Sequence, residues 1–135
     1  MAVFVHTGIF VAVRNSKDRN HQRAKDLMRH ALQSEFGFIH TSDYVVDETV
    51  TTALARTHNH RIAINAGKYI LSSPRIQMLL VSQDDFDRAW NKFQKFDDKL
   101  LSFTDCTSLA VIERHGIERI MSFDSEFDGL LERIY

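Results

Sequence analysis

Short apolar runs alternate along the chain with longer segments that repeat apolar residues at helical spacing. Each run is rich in Val, Ile, Leu, Met or Phe, and the runs cover residues 2–6, 38–41, 76–82, 101–104 and 118–123. Strands that alternate with helices form βαβ units, whose strands pair in parallel. The sequence therefore predicts an α/β fold with a mainly parallel central sheet of about five strands and helices on both faces.

The size and composition of the chain narrow the possible classes of protein. A length of 135 residues predicts a single domain over residues 1–135. The formal net charge of -1 neither requires nor excludes a nucleic-acid partner. The single cysteine, Cys106, cannot form an internal disulfide and fits a reducing cytoplasm. No apolar run approaches about 20 residues, so we expect a cytoplasmic protein without a membrane span.

Acidic side chains stand where the carboxyl ends of the predicted strands meet, the edge at which open α/β sheets bind ligands. Asp105 follows the run 101–104, Asp124 follows the run 118–123, and Glu48 lies in the helix after the second strand. Helix capping would explain the first of these residues alone, and a turn would explain the second. Three acids at one edge repel one another unless a cation neutralises them. Oxygen ligands favour Mg²⁺ or Mn²⁺, which serve in phosphoryl displacement.

Four segments resemble, in order, the acidic motifs of PIN-domain nucleases. They are FVHTGIFVAV (4–13), DYVVDETVTTAL (43–54), LSFTDCTSLAVIERHGI (101–117) and RIMSFDSEFDG (119–129). The resemblance spans nearly the whole chain, and the length fits the VapC-type toxins of toxin–antitoxin pairs. It implies a PIN-like α/β/α sandwich and a divalent-metal-dependent endoribonuclease. It also implies RNA as substrate, a cognate antitoxin as partner, and a homodimer.

The resemblance also assigns roles to individual residues. Glu48, Asp105 and Asp124 match the second, third and fourth acids of the family and would hold Mg²⁺ or Mn²⁺. Asp128 is the alternative for the fourth acid. Glu48, Asp105 and Asp124 would be both the metal ligands and the catalytic carboxylates.

Position 6 departs from the family, because VHTG stands where VDTG is expected. A neutral imidazole at His6 can bind Mn²⁺ but suits Mg²⁺ poorly, and the change removes one negative charge. We therefore predict weak metal binding and much reduced cleavage. Two origins are open: a substitution that protects the producing host, and natural divergence. The alternative function is a catalytically inactive PIN-fold module that binds RNA or protein.

Hydroxyl and basic residues complete the expected site. Thr7 and Thr104 match hydroxyl residues beside the first and third acids, where they would orient the ligands. Basic residues cluster in segments 14–29 and 56–61, which are either solvated helix faces or contacts to the RNA backbone. Arg14 is the RNA contact that we single out. The helical segments in 44–71 either form the dimer and antitoxin surface that the resemblance implies or pack on the sheet.

Overall fold

The central sheet has five parallel strands in the order β3-β2-β1-β4-β5. The structure is a computed structural model that describes residues 1–135. Its strands are β1 (Ala2–Val5), β2 (Phe38–Ser42), β3 (Ile76–Leu79), β4 (Arg119–Met121) and β5 (Glu132–Ile134). Strand β1 is central and pairs in parallel with β2 and β4. The predicted sheet of about five strands is therefore confirmed.

Six helices flank the sheet and fix where its strands end. They are α1 (Thr7–Arg14), α2 (His21–Leu32), α3 (Asp43–Thr57), α4 (His60–Leu71), α5 (Gln83–Lys95) and α6 (Phe103–Arg114). The chain steps from β1 through β2 to β3, then crosses back to β4. Because such crossovers are right-handed, α1 to α4 cover one face and α5 and α6 cover the other. The reversal puts the topological switch point beside β1. No helix has both the length and the apolar character needed to cross a membrane.

One of the predicted strands is wrong. Residues 101–102 have no regular structure, and α6 begins at Phe103 because the Ser102 hydroxyl accepts a hydrogen bond from the third backbone N–H of the helix. The fifth strand is instead β5, in the final segment, where it pairs with β4. A strand of three residues is too short for its periodicity to be recognised in the sequence.

The turn before β2 requires a glycine. Gly37 has a φ of +80°, and a Cβ atom there would lie 2.1 Å from the Met1 carbonyl oxygen. That oxygen accepts a hydrogen bond of 3.0 Å from the Phe38 N–H, which joins the start of β1 to β2. Gly37 lies beyond the end of α2 at Leu32 and so serves the turn into β2.

A buried carboxylate joins α5 to α6. Asp85 is fully buried and accepts hydrogen bonds from Arg114 at 2.7 Å, Arg88 at 2.8 Å and the Ser82 N–H at 2.9 Å. Burial alone would raise the pKa of Asp85, but the hydrogen bonds from Arg114 and Ser82 outweigh it and hold the pKa well below its usual range. This ion pair holds α6 against α5, and α6 carries Asp105 into the cavity described below.

Candidate metal centre

A polar cavity of about 750 Å³ opens beyond the carboxyl ends of β1 and β4. Four carboxylates and two guanidinium groups are in its lining: Asp18, Glu48, Asp105, Asp124, Arg19 and Arg56. Three of these acids are the ones that the sequence predicted, and all three reach this one cavity from different elements. The cavity lies at the topological switch point, where ligands of open α/β sheets bind.

His6 directs its imidazole into this cavity. Its backbone N–H donates to the Met121 carbonyl at 3.0 Å, so residue 6 continues the pairing of β1 with β4. His6 precedes α1, but its side chain makes no capping hydrogen bond. The ring packs edge-on against the buried Phe127, with centroids 5.2 Å apart, and only 4% of the residue is exposed. The fold therefore fixes the ring in one orientation.

The Nε2 atom of His6 is buried without a hydrogen-bond partner. It lies 3.2 Å from Oδ1 of Asp105, but the directions of the two groups do not make a hydrogen bond. Burial lowers the pKa of His6 to about 4, although the charges of Glu48 and Asp124 favour the protonated ring. The ring is thus neutral at neutral pH. A neutral imidazole with a free nitrogen is the form that binds metals.

Asp105 combines a capping role with a place in the cavity. It is the third residue of α6, where Oδ2 accepts from the Ser102 N–H at 2.8 Å while the Ser102 hydroxyl accepts from the Asp105 N–H at 3.0 Å. This capping box leaves Oδ1 facing His6. Burial, together with the charge of Asp124, raises the pKa of the Asp105 carboxyl to about 6, although the hydrogen bonds with Ser102 lower it. The surroundings of Asp105 therefore destabilise its ionised form.

Thr7 and Glu48 complete the compact part of the site. The Thr7 hydroxyl donates to Oε1 of Glu48 at 2.5 Å and so connects the start of α1 to the second turn of α3. Ligand atoms of His6, Glu48 and Asp105 all lie within 4.8 Å of one another. The sequence predicts the hydroxyl of Thr7 beside the ligands, and the structure brings it to one of them.

Asp124 lines the same cavity but lies outside this compact group. Its Oδ1 accepts from the Glu126 N–H at 2.9 Å and so caps the short 3₁₀ turn Ser125–Phe127. The alternative residue, Asp128, does not line the cavity; it pairs with Arg133 at 2.6 Å. Of the two, Asp124 alone is positioned to act on a ligand in the cavity.

Two residues singled out from the sequence lie elsewhere. Thr104 does not line the cavity and its hydroxyl makes no hydrogen bond; Ser102 occupies that position beside Asp105. The capping-box spacing in SFTD would have pointed to the serine. Arg14 donates to Asn65 at 2.6 Å and stacks over the ring of Tyr69, away from the cavity.

The arginines that do reach the cavity are Arg19 and Arg56. Both belong to the basic segments that the sequence identified, but nothing in the local pattern distinguishes them from their neighbours. Arg56 lies 3.8 Å from Asp18, the fourth acidic residue of the cavity and the one that was not predicted from the sequence. Their position depends on how the loop after α1 meets the end of α3, which is a tertiary property.

The residues of the compact group fit a divalent cation. A buried nitrogen without a partner and two carboxylates converge there, and burial leaves the negative charge of Asp105 poorly solvated. A cation would give the nitrogen a partner and neutralise the carboxylates. The donor set fits such an ion.

Comparison with known proteins gives a consistent result. A PIN domain profile matches residues 3–130. The chain is 34% identical over 127 residues to the 23S rRNA-specific endonuclease VapC20 of Mycobacterium tuberculosis, covering 94% of this chain and 92% of that protein. It is 25% identical over 131 residues to a VapC ribonuclease of Archaeoglobus fulgidus, covering 94% of this chain and 80% of that protein.

Solved structures agree with these sequence matches. The crystal structure of VapC20, described as a sarcin–ricin loop cleaving toxin, has a TM-score of 0.83 at 33% identity and covers 95% of this chain and 94% of that chain. The VapBC2 complex of Rickettsia felis with promoter DNA matches with a TM-score of 0.69 at 12% identity, covering 99% and 98%. The second likeness supports the fold alone.

Proposed function

This chain belongs to the PIN-domain family, and on that premise we propose that it is a divalent-metal-dependent endoribonuclease of the VapC toxin type. The observation that carries the proposal is the convergence of His6, Glu48 and Asp105 in one polar cavity, with Asp124 in its wall. We propose these four residues as the catalytic site.

The side chains of the cavity have separate tasks in this proposal. Glu48 and Asp105 would hold the cation, and Thr7 orients Glu48 through the hydrogen bond that it donates. When bound, the divalent ion supplies a Lewis acid that activates water and neutralises charge on a phosphodiester. Asp124 adds negative charge at the edge of the cavity, where it can orient the attacking water.

Two arginines at the rim of the cavity support RNA as the substrate. Arg19 and Arg56 line the cavity together with the acids, and both side chains are exposed to solvent. A guanidinium group pairs with phosphate through two parallel hydrogen bonds. We propose that these two arginines hold the RNA backbone while the scissile phosphate approaches the carboxylates. Arg14 remains a candidate only for contacts outside the cavity.

The experiment that tests the function compares the chain with its His6→Asp variant. Both are incubated with an rRNA fragment containing the sarcin–ricin loop, in Mg²⁺ and in Mn²⁺. We expect the aspartate variant to cut and the histidine form to cut much less in Mg²⁺, because the histidine removes an oxygen ligand and a negative charge. The His6→Asp, Asp105→Asn double variant should be inactive.

Two results would count against the proposal. If neither form cuts the rRNA fragment or total RNA, and both still bind RNA, the inactive binding module becomes the better description. If the double variant cuts as fast as His6→Asp, Asp105 has no catalytic role.

A matched pair of variants tests the rim. Arg56→Gln should weaken RNA binding and flatten its dependence on salt, because each lost phosphate contact removes one released counterion. Arg14→Gln serves as the control, since it removes a guanidinium from the same face of the fold but outside the cavity. Equal losses in the two variants would argue against a specific role for Arg56.

We also propose a cognate antitoxin as partner. A groove of about 400 Å³ between α1, α2 and α4 has an apolar floor that includes Met28 and a rim with Arg14, Lys25 and Arg29. An amphipathic segment with acidic flanks would complement this groove. Arg29→Glu should weaken the complex with the antitoxin encoded beside the gene, and Arg23→Glu, on the same helix but outside the groove, should not.

The homodimer remains a proposal as well. Leu54, Ile64 and Leu71 on α3 and α4 are each more than two-fifths exposed, which supports the helical pair as the contact between two copies. Sedimentation of the chain and of its Ile64→Glu variant tests this. An unchanged dimer in the variant would exclude this surface.

We propose the cytoplasm as the compartment, consistent with the unpaired, buried Cys106.

A further inference from the structure

The donor set of the metal centre differs in kind from an all-carboxylate site. Its compact group contains one imidazole nitrogen and two carboxylates, from His6, Glu48 and Asp105. Three protein ligands that leave further positions open are typical of a catalytic site rather than a closed structural one. The identity of the bound ion should therefore follow from what a nitrogen donor adds to this set.

The nitrogen is positioned as a ligand and has no other role in the fold. His6 is 4% exposed, and its buried Nε2 has no hydrogen-bond partner although it faces the cavity beside Asp105. An unpartnered buried nitrogen is costly for a fold unless a ligand satisfies it. The edge-on packing of Phe127 holds the ring in this orientation.

The charge of the set also matters. Glu48 and Asp105 bring two negative charges, which one divalent ion neutralises, and Asp124 stands apart from them. Mg²⁺ prefers a full shell of oxygen donors, whereas imidazole suits the first-row transition metals and zinc.

We infer that this chain binds one ion of the Mn²⁺, Co²⁺ or Zn²⁺ class at His6, Glu48 and Asp105, in preference to Mg²⁺. The inference rests on the proposed function, because it concerns the same site, and it identifies the cofactor that position 6 selects. His6 is then a ligand that changes the choice of metal. It does not simply delete a ligand.

Calorimetric titration of the metal-free full-length chain with MnCl₂ and with MgCl₂ tests the inference. We expect the preference for Mn²⁺ over Mg²⁺ to be at least about tenfold greater in the chain than in its His6→Asp variant. A His6→Asn variant separates the donor from the charge, since it replaces the nitrogen ligand with an uncharged amide oxygen. It should also lose the preference.

Spin-echo modulation of the Mn²⁺-loaded protein provides a readout that is independent of activity. Coupling to an imidazole ¹⁴N nucleus is expected in the chain and should be absent from His6→Asp. The His58→Ala, His60→Ala variant controls for binding at exposed histidines and should keep the coupling.

The possible failures can be distinguished. If the chain binds Mg²⁺ as tightly as Mn²⁺, or shows no ¹⁴N coupling, the inference is wrong, and the proposed function stands as long as His6→Asp binds metal and cuts RNA. If the preference survives unchanged in both variants, the nitrogen does not cause it. If neither the chain nor His6→Asp binds any divalent ion, the proposed function fails together with the inference.

Discussion

Replacing Asp105 with asparagine should stabilise the metal-free protein, although it should abolish catalysis. Burial raises the pKa of Asp105 from 3.8 to about 6, and each pKa unit corresponds to about 1.4 kcal/mol. At pH 7.5 the ionised carboxylate therefore costs the folded state about 3 kcal/mol relative to the unfolded chain. The Asp105→Asn variant avoids this cost, because its amide carries no charge and its oxygen still accepts from the Ser102 N–H.

The raised pKa of Asp105 makes the stability of the protein depend on pH. The folded state binds more protons than the unfolded state between about pH 4 and pH 6, because the pKa of Asp105 is raised on folding. The free energy of unfolding of the wild type should therefore fall as pH rises through this window. The advantage of Asp105→Asn should be small near pH 4 and reach about 2 to 3 kcal/mol by pH 7.5.

Urea unfolding in EDTA at pH 4 and pH 7.5 measures both values. The matched control is Asp97→Asn, which removes an exposed carboxylate and should change stability by less than about 0.5 kcal/mol. Saturating Mn²⁺ should reverse the order, because the ion stabilises only a folded state that binds it. A variant that is less stable than the wild type in EDTA at pH 7.5, or an advantage that does not change with pH, would refute the reasoning.

Three further predictions follow from other contacts. Asp85→Asn should lower the free energy of unfolding at pH 7 by about 2 to 4 kcal/mol, because it leaves two arginines without their buried partner. Urea unfolding measures this difference, which should shrink below about pH 4 as the wild-type carboxylate takes up protons. Gly37→Ala should cost at least about 1 to 2 kcal/mol in the same assay, from its positive φ and the clash with the Met1 carbonyl, and an unchanged stability would show that the chain start simply moves aside. Thr7→Val should keep the fold but weaken Mn²⁺ binding about 10- to 100-fold in calorimetry by releasing Glu48, whereas unaltered affinity would mean that the hydroxyl does not orient that ligand.

The predicted strand at 101–104 shows the limit of local patterns. The segment LSFT is apolar enough for a strand, but Ser102 caps a helix that begins one residue later. The same capping box fixes Asp105. The local interaction that starts a helix where a strand was predicted therefore also positions a residue of the site. The final strand was missed because its three residues take their conformation from pairing with β4.

The roles of the basic residues also cannot be predicted from local patterns. The sequence identified the segments that carry Arg14 and Arg56, but a solvated helix face and a phosphate contact have the same local pattern. Packing of α1 against α3 and α4 turns Arg14 toward Asn65 and leaves Arg56 beside the acids. Contacts between residues some fifty positions apart decide this difference, and no local spacing encodes them.

The alternation of strands and helices is legible in the sequence alone, and it predicts both the parallel sheet and the edge at which the acids gather. The sequence also indicated that His6 stands in place of an acid, because the neighbouring residues keep the motif. The tertiary structure decided that the imidazole is buried with a free nitrogen and that Asp105 lies beside it. Burial and distance, which determine the charge state of each group and the ion that it can bind, arise only when distant segments pack together.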